Sequence, residues 1–223
     1  MLLNLTAIVI GYLLGSIPSA YIMAKLRKGI DIREVDIGNV GAGAVLRQIG
    51  IWEGAIVLLV DVGKGVATIL IARALGVSQL WMLGAGFAAI LGHSFPIYIG
   101  FRGGQSVATI IGIFLILTPA AMIVTLGIIG IVLFSNYHLF FRRLFFGVAC
   151  AAPALPLSIW LFESSALLIS YSLAVVLFVA FRNREKLKHP KAVTAMPKND
   201  NIVNIDTEDN EMASTDQQTK MEA

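Results

Sequence analysis

The stretch GHSFPIYIGFRGGQSVAT, at Gly92–Thr109, separates two long apolar runs near the middle of the chain. It is polar and rich in glycine, which sets it apart from the sequence on either side. The paired glycines Gly103 and Gly104 come just before Val107, where an apolar, helix-like run begins. This pattern predicts a loop at a membrane face that joins one spanning helix to the next.

The same loop has the composition of an anion site. Glycines ahead of a helix allow backbone N–H groups to converge, and the helix N-terminus adds about half a positive charge. Arg102 stands beside Gly103 and Gly104, with a guanidinium that can bind two phosphate oxygens. The alternative is a tight turn between two membrane helices, with Arg102 as an anchor at the interface.

The composition excludes an ordinary soluble domain. Hydrophobic residues make up 57% of the 223 residues, charged residues make up only 14%, and the mean hydropathy is +0.80. Several apolar runs reach the roughly 20 residues that a helix needs to cross a bilayer. The sole cysteine, Cys150, excludes a disulfide within the chain and a four-cysteine metal site. We therefore predict an all-α integral membrane protein.

Apolar runs predict where the chain crosses the membrane. Pro18 should bend the first span, because proline cannot continue the helical hydrogen bonding. The run Val107–Ser135 is interrupted at Thr118-Pro119 and predicts either one overlong helix or two short ones. The other predicted spans are Leu2–Ala24, Ile51–Ala72, Leu80–Ile99, Leu144–Trp160 and Ser165–Phe181.

The distribution of Lys and Arg decides between one and two crossings, because basic residues favour the cytoplasmic side of short loops. If Val107–Ser135 crosses twice, then Lys25–Arg47, Arg102, Arg142-Arg143 and Arg182–Lys191 all fall on one side. A single crossing would place two of these clusters outside. The sequence therefore predicts about seven transmembrane helices, with the N-terminus outside and the C-terminus in the cytoplasm.

The sequence divides into two segments of different composition. Residues 1–191 are predicted to form a multi-pass domain in the cell inner (plasma) membrane, and residues 192–223 a disordered polar tail. Within the membrane domain, Asp61 and Lys64 lie three residues apart in the second span and so on one helical face. They predict either a structural pair that neutralises its own charge or a functional group that faces a polar cavity.

The predicted topology collects the polar segments on the cytoplasmic face. They hold two glycine-rich stretches, several arginines and His93. No pair of carboxylates is spaced for acid–base chemistry, and no cluster of His, Cys, Asp and Glu resembles a metal site. Basic groups and glycine turns at a membrane face favour an anionic ligand of modest size, such as a phosphorylated metabolite or a lipid headgroup.

Short polar and glycine-rich motifs occur in a fixed order through most of Met1–Lys188. They are Gly15-Ser16-Ile17-Pro18-Ser19-Ala20-Tyr21, Asp31-Ile32-Arg33, Gly38-Asn39-Val40-Gly41-Ala42, Val45-Leu46-Arg47, Asp61 with Lys64-Gly65, Gly92-His93, Phe95-Pro96, Phe101-Arg102-Gly103-Gly104, Val107-Ala108-Thr109, and Arg182 with Arg184-Glu185. In this order they make the chain resemble the small membrane acyltransferases of the PlsY type, which use an acyl phosphate to acylate glycerol 3-phosphate.

The resemblance implies a seven-helix fold around a cytoplasm-facing site, and acyl transfer without an attacking side chain. The glycerol phosphate hydroxyl would attack the carbonyl of the acyl phosphate, and inorganic phosphate would leave. The implied partners are acyl phosphate, glycerol 3-phosphate and membrane lipid, without nucleic acid, and the oligomeric state is left open. No cofactor and no metal is implied.

The resemblance also implies roles for individual side chains. His93 is the candidate catalytic residue, which would orient the hydroxyl or the phosphate; the alternative is a hydrogen bond that ties two helix ends. Arg184 and Glu185 would close the site or, alternatively, form a solvated anchor, whereas Asp61 and Lys64 are assigned to the scaffold. The candidate substrate-binding residues are Asn39, Gly41, Arg47, Arg102, Gly103, Gly104, Gln105, Ser106, Asn183, Arg184 and Glu185.

Several motifs depart from the family pattern. Gln105-Ser106 replace the usual Lys-Gly, Ile37 replaces a Ser, Gly43-Ala44 replace Thr-Asn, and Asn183 and Lys186 stand where a His and an Asn are usual. Two other functions therefore stay open. One is a catalytically weakened relative that binds phosphorylated lipids or metabolites or regulates a true acyltransferase. The other is a transporter or channel, which the charges within the second span would suit, although the sequence contains no inverted repeat.

Overall fold

Helices make up the regular structure of the described part of the chain. The computed structural model describes residues 1–35, 40–134 and 153–184, which belong to one compact unit and contain no strand. This confirms the all-α prediction for these residues. The helices are α1 (Leu2–Ser16), α2 (Ser19–Lys28), α3 (Ile32–Val35), α4 (Ala42–Gln48), α5 (Ile51–Ala74), α6 (Gln79–Ser94), a 3₁₀ helix (Ile97–Ile99), α7 (Val107–Leu117), α8 (Pro119–Phe134), α9 (Ala154–Phe162) and α10 (Ala166–Arg182).

Three helical stretches in the described residues are long and apolar enough to cross a membrane, namely Leu2–Lys28, Ile51–Ala74 and Gln79–Ile99. α7, α10 and the apolar part of α8 are shorter apolar helices. Large apolar side chains remain exposed along these helices; Leu59 is 70% exposed and Leu177 is 68% exposed. Such a surface suits contact with lipid rather than with water.

Both interruptions expected from proline are present. α1 ends at Ser16 and α2 begins at Ser19, so the first stretch breaks at Pro18. α7 ends at Leu117 and α8 begins at Pro119, which has no N–H to continue the hydrogen bonding of α7. The apolar run from Val107 therefore forms two helices, with rises of about 16 Å and 24 Å at 1.5 Å per residue.

Some sequence predictions lie partly or wholly outside the described residues. Most of the predicted span Leu144–Trp160 does, although α9 begins within it at Ala154. The predicted tail, residues 192–223, lies wholly outside them and stays a prediction.

Two glycines allow α1 and α6 to cross at very short distance. A methyl group at Gly15 would overlap the carbonyl oxygen of Ala89, and one at Gly92 would overlap that of Tyr12. Between lipid-embedded helices the hydrophobic effect gives little driving force, so close packing of small residues holds helices together. The crossing places the C-terminal end of α6 against the C-terminal end of α1, where the first apolar stretch, Leu2–Lys28, breaks at Pro18.

A second crossing of the same kind joins α5 to α7. A methyl group at Gly65 would overlap the carbonyl oxygen of Thr109, and one at Gly112 would overlap that of Val62. The apolar core lies beside this crossing, with Phe114 of α7 fully buried in it. α5 is therefore fixed against the helix that follows the glycine-rich loop.

We expect two glycines of α5 to respond differently to substitution by alanine, because only one of them lies against α7. Gly65→Ala should lower stability by about 1–3 kcal/mol, because the added methyl group overpacks the contact with α7. Gly63→Ala is the matched control, since a methyl group there would meet no atom within 4 Å and alanine improves helix propensity by about 1 kcal/mol. Thermal unfolding of purified protein in detergent measures both. Equal losses for the two variants would contradict the close crossing.

Candidate active site

A cavity with Ser19 and His93 in its wall lies beside the Pro18 break of the first stretch, Leu2–Lys28, and beside the glycine-rich loop. Its space of about 220 Å³ is partly open to the outside. The break in the first stretch, the end of α6 and the loop after it all contribute to its wall. The lining residues are Gly15, Ile17, Pro18, Ser19, Ala20, Val40, His93, Pro96, Ile99, Gly103 and Gly104.

A buried ion pair lies behind this wall. Lys64 Nζ is 2.6 Å from Asp61 Oδ1, and the two side chains are 4% and 1% exposed. Lys64 also donates to the carbonyl oxygen of Ile17 at 2.6 Å, and Ser19 Oγ donates to Asp61 Oδ1 at 2.5 Å. Charges within a membrane helix are costly unless they are paired and hydrogen-bonded, and this pair is both. α5 is thereby connected to both sides of the Pro18 break.

His93 lies between the ion pair and the cavity. Its Nδ1 is 3.8 Å from Asp61 Oδ1 and 3.4 Å from Thr109 Oγ1. A methyl group at Gly104 would lie against Nε2, so this nitrogen is on the side of the loop that lines the cavity. The sequence left open whether His93 acts on a ligand or ties helix ends together. The two ring nitrogens face different surroundings, which is compatible with both roles.

The N–H groups of the two loop glycines bond to backbone carbonyls, as in the tight turn that the sequence left open as the alternative to an anion nest. The N–H of Gly103 donates to the carbonyl of Ser94 at 3.2 Å, and the N–H of Gly104 donates to that of His93 at 3.0 Å. A methyl group at Gly103 would overlap the carbonyl of His93, and one at Gly104 that of Val40. In this structure both glycines are required for close packing of the loop on α6, and their N–H groups already have acceptors.

Ser106 occupies a backbone position that suits glycine. It precedes α7 with φ 62° and ψ 6°, in the left-handed region. Its side chain is buried, donates to the carbonyl of Ile90 at 2.9 Å and lies 2.8 Å from Ser94 Oγ. These bonds fasten the start of α7 to α6 and oppose the backbone strain of a non-glycine residue. Ser106 therefore contributes to packing here, and its backbone conformation accounts for the glycine that is usual at this position.

The other predicted ligands are distributed around the loop and the ends of helices. Gly41 precedes α4, and Arg47 is exposed near the end of that helix. Arg102 is exposed, and Gln105 is half-buried just before Ser106. None of these four lines the cavity, although Arg102 and Gln105 flank the two glycines that do.

Two predicted ligands at the end of α10 have different surroundings. Asn183 is buried, and its side chain donates to the carbonyl of Val179 at 2.8 Å, so it caps the helix. Arg184 is exposed, with its guanidinium 4.8 Å from the centre of the Phe181 ring. Asn39 and Glu185 lie outside the described residues and stay predictions.

Comparison with known proteins identifies the family. The family model described as "Glycerol-3-phosphate acyltransferase" matches residues 5–191. The chain belongs to the glycerol-3-phosphate acyltransferase family.

Individual relatives agree with this assignment over most of their length. A glycerol-3-phosphate acyltransferase of Thermosynechococcus vestitus is 38% identical over 205 residues, 87% of this chain and 94% of the relative. The crystal structure of PlsY (YgiH), an integral membrane glycerol 3-phosphate acyltransferase, in its glycerol 3-phosphate form, superposes with a TM-score of 0.76 at 28% identity. Its lysophosphatidic acid form gives 0.72 at 27% identity, and in each case 84% of this chain and 91% of the other is covered.

In this acyltransferase, sequence reasoning assigned Asp61 and Lys64 to the scaffold and missed their partners. The sequence singled out Ser19 only as part of a motif, yet this residue lines the cavity and its hydroxyl donates to Asp61. The available signal was two opposite charges three residues apart within a span, which require partners from other helices. Which helices supply those partners depends on the crossings.

A second feature that the sequence did not predict is a set of contacts from Arg33 to the cavity wall, here called the Arg33 clamp. Arg33 donates to both carboxylate oxygens of Asp31, and its Nη1 donates to the carbonyl of Ile99 at 2.8 Å. The guanidinium also lies 5.0 Å from the centre of the Tyr21 ring. Ile99 lines the cavity, so the clamp holds the loop after α6 against α2 and α3.

An apolar cleft extends from the far side of the glycine-rich loop. Its space of about 500 Å³ between α7, α8, α9 and α10 is partly open to the outside, and it begins at Val107, directly after Ser106. Among the described residues Thr125 is its one polar lining residue, and its hydroxyl donates to the carbonyl of Ala121 at 2.8 Å. The loop thus lies between the cavity lined by Ser19 and His93 and an apolar cleft.

We expect the Arg33 clamp to depend on pH. Hydrogen bonds from Arg33 lower the pKa of Asp31 below its ordinary 3.8. A lowered pKa in the folded state means that the carboxylate stabilises the protein at neutral pH and that this contribution disappears as the pH falls through the folded pKa. The Tm of wild type should therefore exceed that of Asp31→Asn at pH 7, and the difference should vanish toward pH 2.

The exposed neighbour Glu34 provides the control for this comparison. Glu34→Gln should leave the Tm at pH 7 within about a degree of wild type, as surface substitutions usually do. A wild-type advantage over Asp31→Asn that persists unchanged at pH 2 would refute the clamp.

Proposed function

We propose that this membrane acyltransferase takes its acyl group from an acyl phosphate and transfers it to the hydroxyl of glycerol 3-phosphate at the cavity beside His93. Acylation of glycerol 3-phosphate to lysophosphatidic acid follows from the family, whose model matches residues 5–191. The choice of donor and the placement of the reaction are the finer parts of the proposal. The carrying observation is the family match, and the cavity is chosen because Ser19, His93 and Gly104, which belong to three of the motifs, line it.

The proposed reaction requires positioning and charge stabilisation more than a nucleophilic side chain. An acyl phosphate is a mixed anhydride with phosphate as a good leaving group. The hydroxyl oxygen of glycerol 3-phosphate forms a bond to the acyl carbon, the bond from that carbon to the phosphate oxygen breaks, and the hydroxyl proton ends on the departing phosphate. Holding two anionic substrates together supplies proximity, and cations offset their repulsion.

Two arginines are proposed to provide that charge. Arg102 is exposed in the glycine-rich loop, next to Gly103, and Arg47 is exposed near the end of α4. A guanidinium can bind two phosphate oxygens at once. Since the N–H groups of Gly103 and Gly104 have backbone acceptors, the phosphate contacts are assigned to side chains rather than to a backbone nest.

The acyl chain is assigned to the apolar cleft between α7 and α10. The cleft begins at Val107, directly after the loop whose glycines line the cavity, and its described lining residues are apolar except for Thr125. Such a wall offers an acyl chain close apolar contacts and leaves no unpaired polar group against it. A donor with a long chain would therefore bind with its chain in the cleft and its phosphate near Arg102.

An active enzyme is favoured over a weakened relative by the family match, although Gln105 lacks the charge of the usual lysine. Lys64 does not replace that charge, because its ammonium group already binds Asp61 and the carbonyl of Ile17. Arg102 is the cation nearest in sequence to Gln105. We therefore infer that Arg102 carries the phosphate contact that Lys would share in other members.

We further propose about seven crossings, with the N-terminus outside and the cavity facing the cytoplasm of the inner (plasma) membrane. Residues 1–191 would form the membrane domain and residues 192–223 a polar tail. The support is the asymmetry of Lys and Arg and the break between α7 and α8 at Thr118. The short rises of α7 and α8 would be accommodated by local thinning of the bilayer.

The donor is tested with purified protein. Acyl phosphate with glycerol 3-phosphate should give lysophosphatidic acid and inorganic phosphate in equal amounts, whereas acyl-CoA should give no product above background. Lipid analysis and phosphate release measure the two products separately. Equal rates with both donors would remove the acyl phosphate part of the proposal, and lack of product with either donor would remove the assignment of activity.

The role of Arg102 is tested together with Gln105. Arg102→Gln should lower kcat/KM for glycerol 3-phosphate by about 10- to 100-fold, because a charge-assisted hydrogen bond contributes about 1.5–3 kcal/mol. Gln105→Lys in that background should recover part of the loss. Arg27→Gln is the control. Arg27 does not line the cavity, and its Nε lies 3.1 Å from Glu53 Oε1. An unchanged kcat/KM in Arg102→Gln would show that Arg102 is an interfacial anchor.

The topology is tested by labelling single cysteines in a Cys150→Ser background. Cysteines at Gly100 and Lys188 should be protected from an impermeant thiol reagent added to intact cells, and one at Glu163 should be labelled. Permeabilised cells should label at all three positions, which controls for accessibility. Labelling at Lys188 without labelling at Gly100 would indicate a single crossing by the run from Val107.

A further inference from the structure

We propose that Ser94 and Ser106 are positioning residues for Gln105. Their hydroxyls hold the end of the glycine-rich loop against α6, so that the amide of Gln105 is presented in one fixed place to an anionic oxygen of a substrate. This role rests on the proposed function, because it takes that oxygen from the phosphate of the acyl donor or of glycerol 3-phosphate. It goes beyond the packing role of Ser106, since it connects the packing to ligand binding.

The end of the glycine-rich loop is bonded to α6 on both sides of Gln105. The N–H groups of Gly103 and Gly104 donate to carbonyls at the end of α6, and the Ser106 hydroxyl donates to the carbonyl of Ile90 in the same helix. Gln105 is half-buried, and its side-chain amide makes no hydrogen bond within the described part of the chain. An unbonded amide is thus held between bonded neighbours, directly after a residue that lines the cavity.

The two buried hydroxyls form a directed chain of hydrogen bonds. A serine hydroxyl has one proton, and Ser106 donates it to the carbonyl of Ile90, which can only accept. The bond of 2.8 Å between the two Oγ atoms must therefore use the proton of Ser94. Ser94 is 0% exposed and Ser106 is 1% exposed, so water does not compete for either hydroxyl. The chain of donors fixes Ser106, and with it the neighbouring Gln105, relative to α6.

Ser106 keeps its hydroxyl at a backbone position that favours glycine. Its φ of 62° and ψ of 6° lie in the left-handed region, where a residue with a Cβ atom has a steric penalty that glycine lacks. Glycine would relieve this penalty but would remove both hydrogen bonds of the hydroxyl. Backbone strain of this kind is typical of functional positions. The hydroxyl therefore does more than stabilise the turn, because glycine alone would fit it.

A neutral amide depends on its position more than a charged side chain does. The attraction between an ammonium group and an anion falls slowly with distance and needs no particular direction. A hydrogen bond from an amide weakens steeply as its angle departs from linear. The amide of Gln105 therefore gains from a fixed loop, whereas a lysine in its place would reach the same oxygen from a mobile one. This gives a physical reason why Gln105 and Ser106 depart together from the usual Lys-Gly.

The coupling is tested with four proteins, namely wild type, Ser106→Gly, Gln105→Lys and the double variant with both changes. Ser106→Gly should lower kcat/KM by about fivefold or more through a rise in one KM, because a misplaced donor weakens substrate binding. In the Gln105→Lys background the same change should alter kcat/KM by less than about twofold. The substrate whose KM rises, acyl phosphate or glycerol 3-phosphate, is the one whose phosphate Gln105 binds.

Stability measurements separate positioning from packing. In Ser106→Gly the hydroxyl of Ser94 can donate to the carbonyl of Ile90, four residues before it in α6. Since glycine also relieves the backbone, the Tm should stay within about three degrees of wild type. Ser172→Ala is the matched control, because Ser172 is another buried serine, bonded to the carbonyl of Ile169, that lines neither the cavity nor the cleft. Both of its KM values should equal those of wild type.

Ser94→Ala keeps the test decisive if Ser106→Gly fails to fold. It removes the proton that Ser94 donates but leaves the bond from Ser106 to Ile90. The same KM should rise by about twofold to threefold, and it should not rise in the Gln105→Lys background. Equal losses in the two backgrounds, or no loss in either, would overturn the inference.

Binding measurements distinguish a failed inference from a failed function. Glycerol 3-phosphate alone and a long-chain acyl phosphonate cannot react, so calorimetry gives a Kd for each with all four proteins. Ser106→Gly should weaken one of the two by about fivefold, and only where Gln105 is present. If this holds while wild type transfers no acyl group from acyl phosphate, the proposed function fails and the coupling stands. If wild type is active and the Kd values do not depend on the background, the coupling fails and the function stands.

Discussion

The buried pair of Asp61 and Lys64 is the constraint around which this membrane protein is arranged. Two charges in an apolar environment must find hydrogen-bond partners within the protein, and those partners come from Ser19 and the carbonyl of Ile17. Both lie at the break between α1 and α2, which frees the backbone that the pair needs. The same requirement therefore explains why α5 lies beside the Pro18 break, next to the cavity lined by Ser19 and His93.

Glycine residues make this arrangement possible, because they let the helices cross closely. Gly15 and Gly92 allow α1 and α6 to approach until backbone touches backbone, and Gly65 does the same for α5 and α7. In lipid, where apolar side chains gain little by leaving their surroundings, this close approach supplies the packing energy. It also brings His93 of α6 and Thr109 of α7 within reach of Asp61.

Several of the predicted ligands have packing or capping roles in this fold. Gly103 and Gly104 have their N–H groups bonded to α6, Ser106 fastens α7 to α6, and Asn183 caps α10. A glycine-rich motif before a helix has the same sequence whether its N–H groups are free or bonded. The difference depends on a neighbouring helix that is distant in sequence, and so local pattern alone does not separate the two cases.

The sequence by itself determined the membrane class, the helical secondary structure, the breaks at Pro18 and Thr118, and the family. These depend on local properties, namely hydropathy, proline chemistry and ordered motifs, which a linear chain already contains. Only the tertiary structure decided that Asp61, Lys64, Ser19 and His93 form one cluster beside the cavity. Their contacts join α2, α5 and α6, and the geometry of helix crossings sets distances between residues far apart in sequence.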